Sequence, residues 1–194
     1  MAALTMLVVA AIVAVAFLSP ERVSGERQVM PIANVHELAR SGDWESAMYQ
    51  CRQYLLKYPD DPFAHFLLGQ CYLYGPRLQL THADGELETA RALHERLGHL
   101  GGMTNRMESR DFLYRVYKIR AVVQLRIARE GIVLRLPRAF IERHLRACNR
   151  QLRTALAEFP GDDFLQGMQE EVNKALKEMR IEIEDEPETE SFQV

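Results

Sequence analysis

The chain has no CxxC pair, no glycine-rich phosphate loop set behind a strand, and few aromatics: 8% of 194 residues, with a single tryptophan. The first absence excludes zinc knuckles and thioredoxin-like dithiols, because the three cysteines, Cys51, Cys71 and Cys148, are odd in number and widely spaced. All three fall on apolar helical faces and read as buried free thiols; a Cys51–Cys71 disulfide stays open. The second absence removes the commonest nucleotide site. Sparse aromatics beside abundant Leu, Ala, Arg and Glu favour helix over sheet. The formal charge of −3 is too small to point to any class of partner.

Catalytic spacing is lacking as well. His94 and His99, in the run His94-Glu95-Arg96-Leu97-Gly98-His99, resemble a metalloprotease HExxH signature with one residue too many. Histidines at i and i+5 project roughly 140° apart on a helix and cannot hold one ion from one face. This segment therefore reads as a solvated helix surface. His36, His65, His82 and His144 stand alone. Asp60-Asp61 follows Pro59 and Asp162-Asp163 follows Pro160-Gly161 at helix starts, which makes them capping residues rather than an acid–base pair. No metal, cofactor or nucleophile set is indicated, and the chain reads as non-enzymatic.

What is present begins with residues 2–18, an uncharged run of 17 residues ended by Pro20. Its nine strongly apolar side chains give an insertion free energy on the order of 3–5 kcal/mol, enough for a short membrane span. No Lys or Arg precedes the run, so it lacks the basic start of a secretory signal. Residues 1–19 read as an uncleaved anchor or signal-like segment. Arg22 and Arg27 follow it, and the positive-inside rule then places the body in the cytoplasm. Removal of the leader would instead give a secreted or periplasmic binding protein. Residues 20–31 read as a linker.

From residue 32 to residue 180 apolar positions recur at helical spacing, and punctuation divides the stretch into about seven helices. Ser41-Gly42-Asp43, Pro59 with Asp61-Pro62, and Gly75-Pro76 separate the first four, with residues 77–83 as an irregular insertion. Gly101-Gly102 ends the fourth. Asn105 with Glu108 has capping-box spacing for a fifth helix, from 106 to about 129. Residues 131–136 read as a loop, Pro137 opens a sixth helix reaching Phe159, and Asp162 or Asp163 caps a seventh. Residues 181–194 hold six acids and no base and read as a disordered tail.

Helix pairs of this kind stack into solenoids. Gly42-Asp43-Trp44-Glu45-Ser46-Ala47, with Pro59 behind it, resembles the second helix of a tetratricopeptide repeat (TPR). His65-Phe66-Leu67-Leu68-Gly69-Gln70-Cys71-Tyr72 resembles the L-G-x-x-Y of a first helix, with His65 where that family has a large aromatic. Ala155-Leu156-Ala157-Glu158-Phe159-Pro160 resembles a closing segment. The likeness spans about residues 35–159 and is densest over 42–75. It implies an all-α, TPR-like domain in which Trp44, Ala47, Gly69 and Tyr72 pack successive pairs. It also implies an inner wall carrying Phe63, Phe66, Gln70 and Tyr74 as a groove for a protein or peptide partner.

Charge supplies the last signal. Residues 101–160 contain 13 Lys and Arg against 5 acids. Arg115, Lys118, Arg126 and Arg129 fall on one stripe of the fifth helix. A solvated basic face is the plain reading; anionic lipid head groups or an acidic peptide are its functional alternatives. Nucleic acid is disfavoured, because aromatic side chains do not interleave with the bases. The expectation is a membrane-tethered interaction scaffold.

Overall fold

The computed structural model describes residues 29–103 and 107–181. The expected anchor, the linker up to residue 28, Asn105 and the acidic residues beyond 181 lie outside the described residues. Within them the chain forms seven α-helices: α1 (Ile32–Arg40), α2 (Trp44–Lys57), α3 (Pro62–Tyr74), α4 (Leu80–Leu97), α5 (Ser109–Val133), α6 (Arg138–Glu158) and α7 (Asp163–Glu178), with a 3₁₀ turn at Gly101–Met103. Each helix packs on the next, and α1 with α3 and α3 with α5 also touch. Among the described residues, no helix is long and apolar enough to cross a membrane.

The helix starts follow from local chemistry. Asp43, Asp61 and Asp162 accept from the backbone N–H groups of Ser46, Ala64 and Leu165 at 3.2, 3.0 and 2.9 Å, each satisfying an otherwise orphaned donor of the first turn. Pro62 occupies the first turn of α3, where its missing N–H costs nothing. The turn before α3 recurs before α7. Tyr58 (φ −128°, ψ 69°) and Phe159 (φ −133°, ψ 67°) each end a helix, and Asp61 (φ −86°, ψ 108°) and Asp162 (φ −82°, ψ 104°) each open the next.

Packing distinguishes the two helices that follow these turns. α3 is buried nearly all round, from Phe63 through Leu73. Gly69 is the point of closest approach to α4: a Cβ there would stand 2.8 Å from Leu87 Cγ and 3.2 Å from the Ala83 carbonyl. The terminal helix α7 buries only the stripe Leu165, Met168, Val172 and Leu176 and leaves Phe164 49% exposed. α5 joins two apolar cores. Phe112, Val116 and Val123 enter the one built by α1 to α4, while Ala121, Leu125 and Ala128 enter the one shared with α6 and α7.

Several boundaries differ from the sequence expectation. α4 begins at Leu80, inside the expected insertion, because Leu80 and Ala83 are core residues. It stops at Gly98, whose φ of +69° makes the left-handed cap, not at Gly101-Gly102. α5 starts at Ser109 with Glu108 as its cap residue and runs through Gly131 to Val133. Gly131 is no breaker: a Cβ there would stand 3.2 Å from Phe140 and Ile141, so its bare backbone lets α6 approach.

Candidate functional site

The residues proposed for an inner groove separate into two groups. Phe63 and Phe66 are 0% and 2% exposed. They belong to a run of rings that starts at His36 on α1. His36 meets Phe63 edge-on at 5.4 Å, Phe63 meets Phe66 at 5.9 Å, and Phe66 meets Phe112 of α5 at 5.4 Å. His94 of α4 closes on Phe112 at 5.1 Å. Phe63 and Phe66 therefore offer a partner no surface, and their assignment to the groove is corrected: α1 and α5 close over them. Gln70 is half-buried and Tyr74 is 43% exposed, its ring stacked at 5.4 Å on the half-buried Trp44. Ala47 and Tyr72 are buried in the same core, Tyr72 accepting from Arg52 at 3.0 Å.

The basic stripe of α5 is likewise divided. Lys118 donates to Tyr114 at 2.8 Å and to Asp162 at 3.3 Å, with its ammonium 4.5 Å from the Phe164 ring centroid. Arg129 pairs with Glu171. These two cations hold α7 in place. Arg115 and Arg126 are exposed and make no ion pair among the described residues, so the expected free basic face is reduced to them.

Two polar constellations tie the first core together. Asp61, 5% exposed, accepts from Tyr54 Oη at 2.9 Å, Ala64 N at 3.0 Å and Gly102 N at 2.7 Å. Burial and the adjacent carboxylate push the Tyr54 phenol pKa well above its ordinary 10, keeping it a donor. Gly101 and Gly102 matter as close approaches: a Cβ on Gly102 would stand 2.6 Å from Ile32 and 2.8 Å from Tyr54 Oη. An open cleft of about 770 Å³ lies over this cluster, with Lys57, Tyr58, Asp60 and His99 on its walls. With three donors on one carboxylate, Asp61 is committed to structure.

The second constellation is His65, which bonds Glu86 through Nδ1 at 2.6 Å and the Pro59 carbonyl through Nε2 at 2.8 Å. Burial pulls its pKa down, but the Glu86 and Pro59 acceptors outweigh burial and hold it above the ordinary 6.5. Such a group contributes stability that is complete below pH 6.5 and is lost as pH rises through the folded-state pKa. The stability difference between wild type and His65→Gln should be largest near about pH 5.5 and shrink toward about pH 8.5, as read by urea unfolding across that range. A difference that grows with pH would contradict the doubly donating imidazolium.

The other candidates are core groups. His94 is 5% exposed and its Nδ1 lies 3.1 Å from the His99 carbonyl, which corrects the solvated reading at His94, while Glu95, Arg96, Gly98 and His99 of the same segment are exposed. Cys51, Cys71 and Cys148 are free, buried thiols. Contact with the Cys71 thiol and burial raise the Cys51 pKa, and burial pushes Cys148 up to about 12, its thiol donating to the Ala121 carbonyl at 3.2 Å. Thiols held so far from ionisation are poor nucleophiles.

No family model, curated protein or solved structure matches the chain. The site must therefore be read from its own chemistry.

One feature escaped the sequence reading. A cleft of about 380 Å³ opens between the start of α4 and the α5–α6 hairpin, lined by Leu78, Leu80, Ile127, Leu134, Leu136 and Phe140 among others. At this end Leu78 is 47% exposed, Ile132 50%, Val133 80% and Leu134 67%. The available signal is four large apolar residues, Ile132, Val133, Leu134 and Leu136, within the stretch 131–136 read as a loop, interrupted only by Arg135. Loops seldom spend apolar side chains that way without a surface to serve.

Proposed function

We propose that this protein is a non-enzymatic, TPR-like interaction scaffold that holds a protein partner at a membrane. The packing order carries this reading. Helices pair in sequence while α3 also touches both α1 and α5, the arrangement expected when successive helical hairpins stack and their first helices form a common wall. The recurrence of one turn geometry before α3 and α7 supports the same repeat. The uncharged run at residues 2–18 supports the membrane setting.

Within this reading the accessible part of the wall is Tyr74 with Gln70, backed by Trp44, and no longer Phe63 or Phe66. An aromatic side chain that is half open and held by a second ring is a ready anchor for a partner. A photo-crosslinking residue at position 74 should give discrete adducts in membranes, while one at position 56 should not; Leu56 is 80% exposed on α2 and serves as control. Equal labelling at the two positions, or none at 74, would remove the wall as the docking surface.

A further inference from the structure

We infer that the α5–α6 hairpin tip, residues 131–138, is a second membrane contact that inserts shallowly into an anionic bilayer surface. This inference deepens the membrane setting proposed above and rests on it.

Scattered exposed apolar side chains need no explanation, whereas a contiguous set does. Ile132, Val133 and Leu134 are consecutive, and Leu78 joins Leu134 and Leu136 around one cleft. The tip is also prepared for a low-dielectric environment. Three of its backbone donors are satisfied internally: Leu134 N to the Glu130 carbonyl at 2.8 Å, Arg135 N to Ile132 at 3.1 Å, and Leu136 N to Gly131 at 2.8 Å. Entering the interface would orphan none of these amides.

Charge complementarity selects the occupant. From residue 131 to residue 141 there are two arginines and no acid. Arg135 stands at φ +54° in the left-handed position that ends α5, where the ends of α1 and α4 use Gly42 (φ +86°) and Gly98 (φ +69°). An arginine is thus kept at a place where glycine is sterically easier. Arg180, also left-handed at φ +53°, lies at the same end, because Arg138 Nη2 bonds the carbonyls of Met179 at 2.7 Å and Arg180 at 3.3 Å. Three exposed guanidinium groups beside an apolar tip match phosphate head groups over acyl chains. Among the described residues, the acids nearest in sequence to these arginines are Glu130 on the cleft wall, Glu142, which is paired with Arg146 at 3.1 Å, and Glu178.

The test uses the full chain carrying Val133→Cys or Leu56→Cys, labelled with an environment-sensitive fluorophore. Both sites are 80% exposed, while the native thiols are buried. Vesicles of phosphatidylcholine, with and without about 30 mol% phosphatidylserine, include brominated lipids as quenchers. The label at 133 should enter an apolar, quenchable environment in the anionic vesicles, and the label at 56 should stay in water. Arg135→Gln should lower the ratio of inserted to free tips about fivefold.

A label at 133 that stays in water, on protein that resists carbonate extraction from the vesicles, overturns the inference and leaves the membrane reading standing. Quenching at 133 on protein that carbonate releases leaves the tip contact standing and removes the anchor. A label already apolar without vesicles overturns the inference in favour of a second copy, or of the acidic residues 182–194 covering the tip.

Discussion

Asp61→Ala is expected to destabilise the domain by about 3–5 kcal/mol, while Asp60→Ala beside it changes stability by no more than about 0.5 kcal/mol. Both aspartates look alike in the sequence, and both precede Pro62. Asp60 pairs with Arg96 at 3.0 Å, but the two side chains are 70% and 62% exposed, so water and salt reduce the pair to little. Asp61 is the meeting point of three segments: the end of α2 through Tyr54, the start of α3 through Ala64, and the 3₁₀ turn through Gly102. Its loss removes a helix cap, worth about 1 kcal/mol. It also strands a buried hydroxyl and a backbone N–H, at about 1–3 kcal/mol each. Urea unfolding at unchanged slope measures the difference directly. Equal midpoints for the two variants would mean that the carboxylate does not organise this corner.

That comparison also shows what local sequence could and could not convey. The caps at Asp43 and Asp61, a cap at Asp162 or its neighbour Asp163, and the first turn at Pro62 are legible, because an N-cap depends only on residues within one turn of itself. So was the periodicity of α1, α2 and α7, each of which buries a single stripe. The surroundings of α3 were not legible. A helix apolar on every face does not say which neighbours cover it, and whether α1 and α5 close over Phe63 and Phe66 is settled by chain segments far away in sequence. Glycine misled for a related reason. Gly101, Gly102 and Gly131 read as stops in the sequence, yet they serve close contacts with Asp61, Ile32, Phe140 and Ile141, and such contacts exist only after folding. The basic stripe of α5 failed similarly, since Lys118 and Arg129 find their acids at the cap of α7 and on α7 itself.

Phe66→Ala is expected to cost about 3–5 kcal/mol, a large share of the stability of a domain this size. Phe66 is the ring through which α3 meets α5: it contacts Phe63 on its own helix and Phe112 across the interface, and Phe112 in turn meets His94 of α4. Truncation leaves a cavity where α3, α4 and α5 converge and removes two aromatic pairs, each contributing about 0.5–1.5 kcal/mol beyond area burial. Lost partner binding in such a variant would therefore report unfolding and would say nothing about a groove. Tyr74→Ala should behave oppositely. Its ring is 43% exposed and touches mainly Trp44, so the expected loss of stability is under about 1.5 kcal/mol. Thermal unfolding of the two variants, measured beside crosslinking from position 70, separates folding from recognition. If the wall formed by Gln70 and Tyr74 is the docking surface, Tyr74→Ala keeps the fold and loses the adduct. A folded Tyr74→Ala that crosslinks like wild type would instead move recognition away from the odd-numbered helices.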